Sequence, residues 1–445
     1  IQTSNVEVNK HRPQYLKLHN DVTRYHTSKH FHFESRLSLT GSNADVRRVV
    51  KPSQEGLAII SLYNKIASKA GASSITGGSL DSATEKILDE AANHLWDNKG
   101  KSLVVCGSNC VSNQTVVNGI NNLLGNYGST IDLGSSINLN QGSDADVNRL
   151  VDEMNNGGGD VLMIANCNPV YDHPNGKAFA EALKKVGTTI SFNSHADETG
   201  SVCKYACPDN HYLESWNDAE PVSGMYSICQ PTIVNIFKTR QMQDSMLMWM
   251  GDANGYYSYI QKNWQQNIFT KQSTEGNFQS FWDNSVRNGI FETTISATGG
   301  TFAGDLGSAA NDIASVAGGS KGVEVVFYEK VGMGNGKYAN NPWLQELPDP
   351  VSKITWDNYL SVSYKMANDE LHVVDGDIVT LKVGNNSVDL PVLVQPGQAD
   401  GTASVAVGYG RTMAGRAGSS VGVNVYPMIP VVNGMMQYFA SSASI

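Results

Sequence analysis

Apolar residues recur at three- and four-residue intervals early in the chain, the spacing of a helix that buries one face. Leu57, Ile60, Tyr63, Asn64 and Ala67 form one mostly apolar stripe. Ala83, Ile87, Leu88, Ala91 and Leu95 form a second, with Ser82 and Glu85 spaced as a capping box. The pattern then changes to short apolar runs that alternate with helical stretches. Ser102–Cys106 is a predicted strand followed by the turn Gly107-Ser108-Asn109, and a helix is expected over Val116–Leu124. Asp160–Ala165 is the next predicted strand, followed by Asn166-Cys167-Asn168-Pro169. A helix over Phe179–Val186 and a third strand over Thr188–Phe192 continue the series. Strand, turn and helix at this interval predict a Rossmann-like parallel sheet, whose ligands sit outside the carboxyl ends of the strands. The turns at Gly107 and Asn166 are the places for a nucleotide-like ligand.

The last eighty-odd residues read differently. Ile378–Val383, Val388–Val394 and Thr402–Val407 are short strands separated by Asn385-Asn386 and Pro396-Gly397-Gln398 and preceded by Asp375-Gly376-Asp377. Short strands with tight Gly, Asn and Asp turns predict a small β-barrel. The chain therefore divides into an extended N-terminal segment (1–53), a Rossmann-like α/β domain (54–200), a second α/β region with insertions (201–358) and a C-terminal β-barrel domain (359–445). Trp249, Tyr256, Tyr257, Tyr259, Trp264 and Trp282 make part of the third segment rich in aromatics, suited to core and interface packing.

Composition narrows the function classes. With 40% hydrophobic and 17% charged residues over 445 positions, a sizeable core can form. A formal net charge of -10 argues against a nucleic-acid partner, which needs a basic patch. No apolar run is long enough to span a bilayer, and Val421–Val432 is interrupted by Gly, Asn and Pro. The chain starts at Ile1 rather than Met and ends on a strand-like run at Ile445, so we expect a piece of a longer polypeptide.

Candidate chemistry is sparse. His11, His19, His26, His30 and His32 lie in the polar first fifty residues, and His26-x3-His30-x-His32 has metal-ligand spacing without an accompanying Cys or carboxylate pair. Its other reading is a solvated, partly extended segment. Cys106/Cys110 and Cys203/Cys207 share C-x3-C spacing, while Cys167 and Cys229 stand alone. The C-x2-C-x2-C run of an iron–sulfur site is missing, and buried thiols or a local disulfide are the expectation. His195 and Asp197 follow a strand as a possible acid/base pair, and His211 lies near Glu214. Such loop pairs are more often structural, and we assign no catalytic, cofactor-binding or metal residue. Gly-x-Gly-x-x-Gly and Gly-Lys-Ser/Thr motifs are missing from the strand ends, and Val331-Gly332-Met333-Gly334-Asn335-Gly336 reads as a loop.

An α/β region followed by a barrel that opens on Asp375-Gly376-Asp377 resembles the molybdopterin oxidoreductases. Leu390–Gln398 resembles the middle of that barrel, Gly408–Arg416 its following loop, and Asn168-Pro169 the turn near the nucleotide in active members. Four further blocks, Glu34–Gly41, Tyr212–Pro221, Gln230–Ile233 and Asn341–Pro350, resemble the large iron–sulfur subunit of bacterial alternative complex III. The resemblance implies the first half of that subunit, which has the molybdenum-enzyme fold but binds no molybdopterin, and a barrel that is dinucleotide-binding-like. It implies iron–sulfur clusters in an adjoining ferredoxin-like half and none in this segment. It further implies integral membrane quinol-binding and haem-containing partner subunits, and a place on the periplasmic face of the bacterial cytoplasmic membrane. In that compartment Cys203 and Cys207 are the expected local disulfide. The alternative is an active molybdopterin enzyme of the polysulfide or tetrathionate type, for which Cys167 is the one candidate metal ligand at a strand end. As a scaffold, the chain is expected to present 1–50 and 249–282 to partner subunits.

Overall fold

The computed structural model describes residues 28–139, 142–296 and 298–445. The chain is mixed α/β and separates into two compact units. Among the described residues, one is built from those up to 130 together with 301–445, the other from those in 131–300. These units cut across the four expected segments, because 54–200 and 201–358 each contribute to both.

In the first unit, the helices Pro52–Ala70, Ser82–Asp97, Val111–Leu123 and Leu306–Gly319 share one apolar core that includes Ile60, Ile66, Leu88, Ile120 and Ile313. The predicted stripes are its inner faces. Asn64 on the first stripe is not apolar filler. Its carboxamide bonds the Ile75 N–H (2.8 Å) and the Ile75 carbonyl (2.9 Å), tying the loop after the helix back onto it. The capping box expected at Ser82 is displaced by one residue: Asp81 is the N-cap and accepts from the Ala83 and Thr84 N–H groups at 3.1 and 3.0 Å. A carboxylate at that position satisfies two orphan donors and suits the positive helix end.

The predicted strand Ser102–Cys106 does not join a sheet. The Asn121 carboxamide takes the place of a neighbouring strand, accepting from Val104 N at 3.0 Å and donating to Val104 O at 2.8 Å. Apolar residues here signal contact with the helical core, not a ladder.

The C-terminal strands form a six-stranded sheet in the order Ile378–Val383, Asn386–Val394, Leu360–Val362, Thr402–Ala406, Val323–Tyr328, Phe439–Ala443. It curls until its edges meet, with Lys382 and Ser444 exchanging N–H···O bonds of 2.8 and 3.0 Å. Val325, Leu360, Leu381, Ala403 and Val405 are fully buried inside. The barrel is larger than the expected 359–445 segment. Val323–Tyr328 enters it from the preceding region, parallel to Thr402–Ala406 in the register Glu324↔Thr402. From residue 31 onward, the N-terminal segment belongs to this unit as well. Phe31–Glu34 pairs in parallel with Val46–Val49, and Arg48 bonds Thr84 and Asp81 at 2.7 Å each. Residues 1–27, with His11, His19 and His26, lie outside the described residues.

The second unit holds the expected parallel sheet in shortened form: Val161–Ile164, Thr188–Ser191 and Tyr205–Ala206, covered by helices Asp144–Asn155 and Gly176–Leu183. Beside it in sequence comes an antiparallel sheet of Asn217–Val222, Met225–Cys229 and Ile290–Glu292, packed with aromatic residues. Trp264 and Trp282 are in that core, not on a free surface, and the Trp264 indole N–H donates to Asp218 at 2.9 Å. Of the aromatics expected to face partners, Trp249, Tyr257 and Tyr259 are exposed. No helix among the described residues is long and apolar enough to cross a membrane.

Candidate functional site

The carboxyl end of the parallel sheet in the second unit carries the most developed polar cluster of that unit. The strand Val161–Ile164 runs into Asn166, which adopts a left-handed φ of 61° and turns the chain sharply into Cys167-Asn168-Pro169. Asn tolerates that conformation better than other non-glycine residues. Asn168 is buried, and its carboxamide is used on both sides. The oxygen accepts from Thr199 N (3.0 Å) and Thr199 Oγ1 (2.7 Å), and the nitrogen donates to the buried Glu198 at 2.8 Å. The Thr199 hydroxyl oxygen accepts from Val170 N at 3.1 Å. Thus the turn after one strand is locked to the turn after the next.

Asp197 completes the second turn. It accepts from Gly200 N at 2.8 Å and from Asn193 Nδ2 at 2.9 Å, and Asn193 also donates to Cys167 O at 2.8 Å. His195 does not pair with the Asp197 carboxylate. Its Nδ1 lies 3.0 Å from Ser194 Oγ. Asp197 is thus a structural carboxylate and His195 a separate imidazole, the structural role that such loop pairs more often have. His211 and Glu214 are structural too. Each accepts a backbone N–H at the start of a short 3₁₀ turn (His211 N to Glu214, 2.9 Å; Leu213 N to His211, 3.3 Å), and Glu214 also accepts from Ile236 N at 2.9 Å. The backbone donors Ile236 and His211 hold the Glu214 carboxyl below its usual range.

All six cysteines carry free thiols. The Cys203–Cys207 pairing fails on geometry. Tyr205–Ala206 between them is an extended strand, and four extended steps separate Cα atoms by roughly 13 Å, beyond disulfide reach.

The other expected ligand turn, Gly107-Ser108-Asn109 in the first unit, is also tied up internally. Gln114 donates to the Cys106 and Ser108 carbonyls at 2.9 and 2.8 Å, and Ser108 Oγ accepts from Cys110 N at 3.0 Å. Glu55, in the first turn of the Pro52–Ala70 helix, influences this turn. Burial, reinforced by the Glu324 and Glu34 carboxylates, pushes the Glu55 carboxyl up to about 8. Glu324 itself is well served, accepting from Ser53 N (2.8 Å), Ser53 Oγ (2.6 Å) and Ser320 Oγ (2.9 Å). The folded state thus holds the Glu55 proton to a higher pH than the unfolded chain does, so stability falls as pH rises from about 4.5 toward 8. Glu55→Gln is expected to stabilise the unit on the order of 1–3 kcal/mol at pH 8, allowing for screening of a partly exposed group, and to change little at pH 4. Thermal melts at both pH values check this; equal shifts at the two would refute the assignment.

Glu34 behaves in the opposite way. Burial would raise its pKa, but hydrogen bonds from His32, Ser38 and Arg47 outweigh that and hold it at about 2. His32 Nε2 lies 3.1 Å from Glu34, and the His30 and His32 rings meet edge-on with centroids 5.3 Å apart. Among the described residues no group of three His, Cys, Asp or Glu side chains stands close enough to hold a metal ion.

Sequence reading located Asn168-Pro169 but missed its partners Glu198 and Thr199, and it missed Glu55. The pair sits thirty residues downstream in a loop without periodicity, and Glu55 reads as an ordinary acidic residue in a first helical turn.

No protein-family model matches the chain. One curated protein is similar: the menaquinone reductase, molybdopterin-binding-like subunit, of Nitratidesulfovibrio vulgaris is 31% identical over 91 residues, 20% of this chain. That match spans 13% of the subunit's own length. Among solved structures, acetylene hydratase from Pelobacter acetylenicus superposes with a TM-score of 0.63 at 10% identity, covering 93% of this chain and 73% of that one. The breadth of the superposition, with a curled barrel-like sheet alongside the α/β regions, shows the chain to have a molybdopterin-oxidoreductase-like fold.

Proposed function

We propose that this chain is the non-catalytic scaffold part of an electron-transfer subunit in a membrane-bound, quinol-oxidising respiratory complex of the alternative complex III kind, with its molybdopterin site lost. The similarity to a menaquinone reductase subunit supports a quinone-related electron-transfer role. In this reading, iron–sulfur clusters lie in an adjoining ferredoxin-like half. Integral membrane quinol-binding subunits and haem-containing subunits are the partners, and the assembly works at the periplasmic face of the cytoplasmic membrane.

The observation that carries the loss of the cofactor is the donor chemistry of the two expected ligand turns. A pterin dinucleotide brings a diphosphate, which needs spare N–H donors and cations. At the Asn166 turn the donors of Asn168, Asn193 and Gly200 are committed to Glu198, Cys167 O and Asp197, and two carboxylates already stand there. At the Gly107 turn Gln114 closes on the chain's own carbonyls and Glu55 is the nearby acid. A diphosphate would meet like charge and spent donors at the Asn166 turn, and spent donors at the Gly107 turn, so these residues do not fit it. The second reading, an active molybdenum enzyme, keeps one favourable observation: Cys167 is exposed just beyond the strand Val161–Ile164.

Elemental analysis of the native complex is expected to find molybdenum and tungsten at background. Quinol oxidation should be unchanged in cells grown on tungstate. Stoichiometric molybdenum with a pterin fluorophore released on oxidation, or activity lost on tungstate, would replace this proposal by the second reading.

A further inference from the structure

The first unit contains a cavity of about 560 Å³ that the scaffold role does not use. That size suits a small organic molecule. Residues far apart in sequence line it, among them 36–40 from the N-terminal block, 328–331 at the end of a barrel strand, 349–352, and barrel residues such as Ser361 and Ser404.

Its polar equipment is unusual. The Arg36 guanidinium lies 3.8 Å over the Tyr328 ring. Stacking fixes the plane of the fork while leaving its edge free, and among the described residues Arg36 has no hydrogen-bond acceptor. A half-buried guanidinium with unspent donors beside a cavity is a cation waiting for an anion. Lys330 is the second cation on the lining and is 5% exposed. Its ammonium donates to Asp357 O at 3.0 Å and sits 4.3 Å and 5.0 Å from the Tyr359 and Tyr409 ring centroids. Burial lowers its pKa to about 8, against the opposite pull of Asp349 and Asp357.

Two acids share the lining. Asp349 is committed to its own loop, accepting from Val351 N (3.0 Å), Ser352 N (2.8 Å) and Ser352 Oγ (3.1 Å). Glu329 is solvent-exposed. Two cations balanced by two acids favour a monoanion over a phosphate dianion. Leu37, Val331, Pro350 and Val351 supply apolar wall for the rest of the molecule.

We propose that this cavity binds a small amphiphilic carboxylate, its head group held by the Arg36 fork with Lys330 as the second cation and its hydrocarbon part against Leu37, Val331 and Val351. The site rests on side chains of the first unit alone and holds whether or not the chain carries molybdenum.

Calorimetric titration of the full chain with hexanoate is the test, with methyl hexanoate and inorganic phosphate as comparisons. Hexanoate is expected to bind saturably, the ester not at all, and phosphate more weakly. Arg36→Gln should weaken hexanoate about 10–100-fold, the value of one charge-assisted pair. Lys330→Met should weaken it too; if burial makes that variant fold poorly, Arg36→Gln, at a half-buried position, still decides. Absence of saturable hexanoate binding, equal binding of the ester, tighter binding of phosphate, or an Arg36→Gln variant with native circular dichroism and unchanged affinity would each overturn the proposal.

Discussion

Gly410→Ala is expected to cost about 4 kcal/mol or more and to leave little soluble, folded protein, the sum of backbone strain and a collision that cannot relax. Gly410 has a φ of 68°, and a Cβ there would stand 2.0 Å from Asn424 N and 2.4 Å from Val423 C. Both atoms are backbone, and the segment they belong to is held from the other side. Asn358, itself buried, donates to Val423 O and Ala406 O at 2.9 Å each and accepts from Val423 N at 3.0 Å. Gly410 N donates to Val421 O at 2.7 Å, so the two strands of this loop are already as close as a hydrogen bond allows. On either side, Tyr409 packs with Met333, Ala339 and Ala406, and the buried Arg411 donates to Gly336 O at 2.6 Å. Moving the loop would therefore break a core cluster and a buried guanidinium contact together. Gly71→Ala is the control. It has a similar φ of 69° but nothing within 4 Å of the added carbon, so it carries strain alone, about 1 kcal/mol. Urea unfolding of both variants separates the two terms. If Gly410→Ala loses no more stability than Gly71→Ala, the close approach described here is wrong.

The same loop shows what sequence patterns can and cannot convey. Gly408–Arg416 stood out as resembling the loop after a molybdopterin-oxidoreductase barrel, yet the need for its glycines is a contact with residues 423 and 424 and with Gly334, which no local pattern reveals. The helices were legible because a 3.6-residue period is a local signal: Leu57, Ile60, Tyr63 and Ala67 all reach the core. The hairpin Ile378–Val383 with Asn386–Val394 was legible because its turn is short. The strand Val323–Tyr328 was not assigned to the barrel because its partner, Thr402–Ala406, lies some eighty residues away and pairs in parallel, without a turn to announce it. Ser102–Cys106 was read as a strand because an apolar run looks the same whether a sheet or the Asn121 side chain satisfies its backbone. The candidate site follows the same rule. Asn168-Pro169 is a local turn signal, while the Glu198 and Thr199 that give it meaning, and the meeting of Arg36 with Tyr328, depend on the assembled fold.

Asn168→Ala should destabilise the second unit by about 3–5 kcal/mol, because it removes one side chain that serves three buried groups at once. Thr199 is fully buried and gives both its N–H and its hydroxyl to the Asn168 oxygen, and Glu198 takes the Asn168 amide at 2.8 Å. Alanine leaves two donors without that acceptor and withdraws a donor from a buried carboxylate. It also frees the Asn166–Pro169 turn from the turn after Thr188–Ser191, so the exposed Cys167 should become more reactive toward a thiol reagent. Asn168→Asp distinguishes the roles within the network. The new carboxylate still accepts from Thr199 but faces Glu198 with like charge, so its loss should be large at neutral pH and smaller on acidification, when one proton shared by the two carboxyls relieves the repulsion. Asn168→Ala has no such charge and should show no comparable recovery. Denaturant midpoints for the two variants at pH 5 and pH 7.5, with Cys167 labelling rates alongside, provide the measurement. An Asn168→Ala variant within about 0.5 kcal/mol of the parent, the range of ordinary surface substitutions, would show that the two strand ends are held together by something other than this carboxamide.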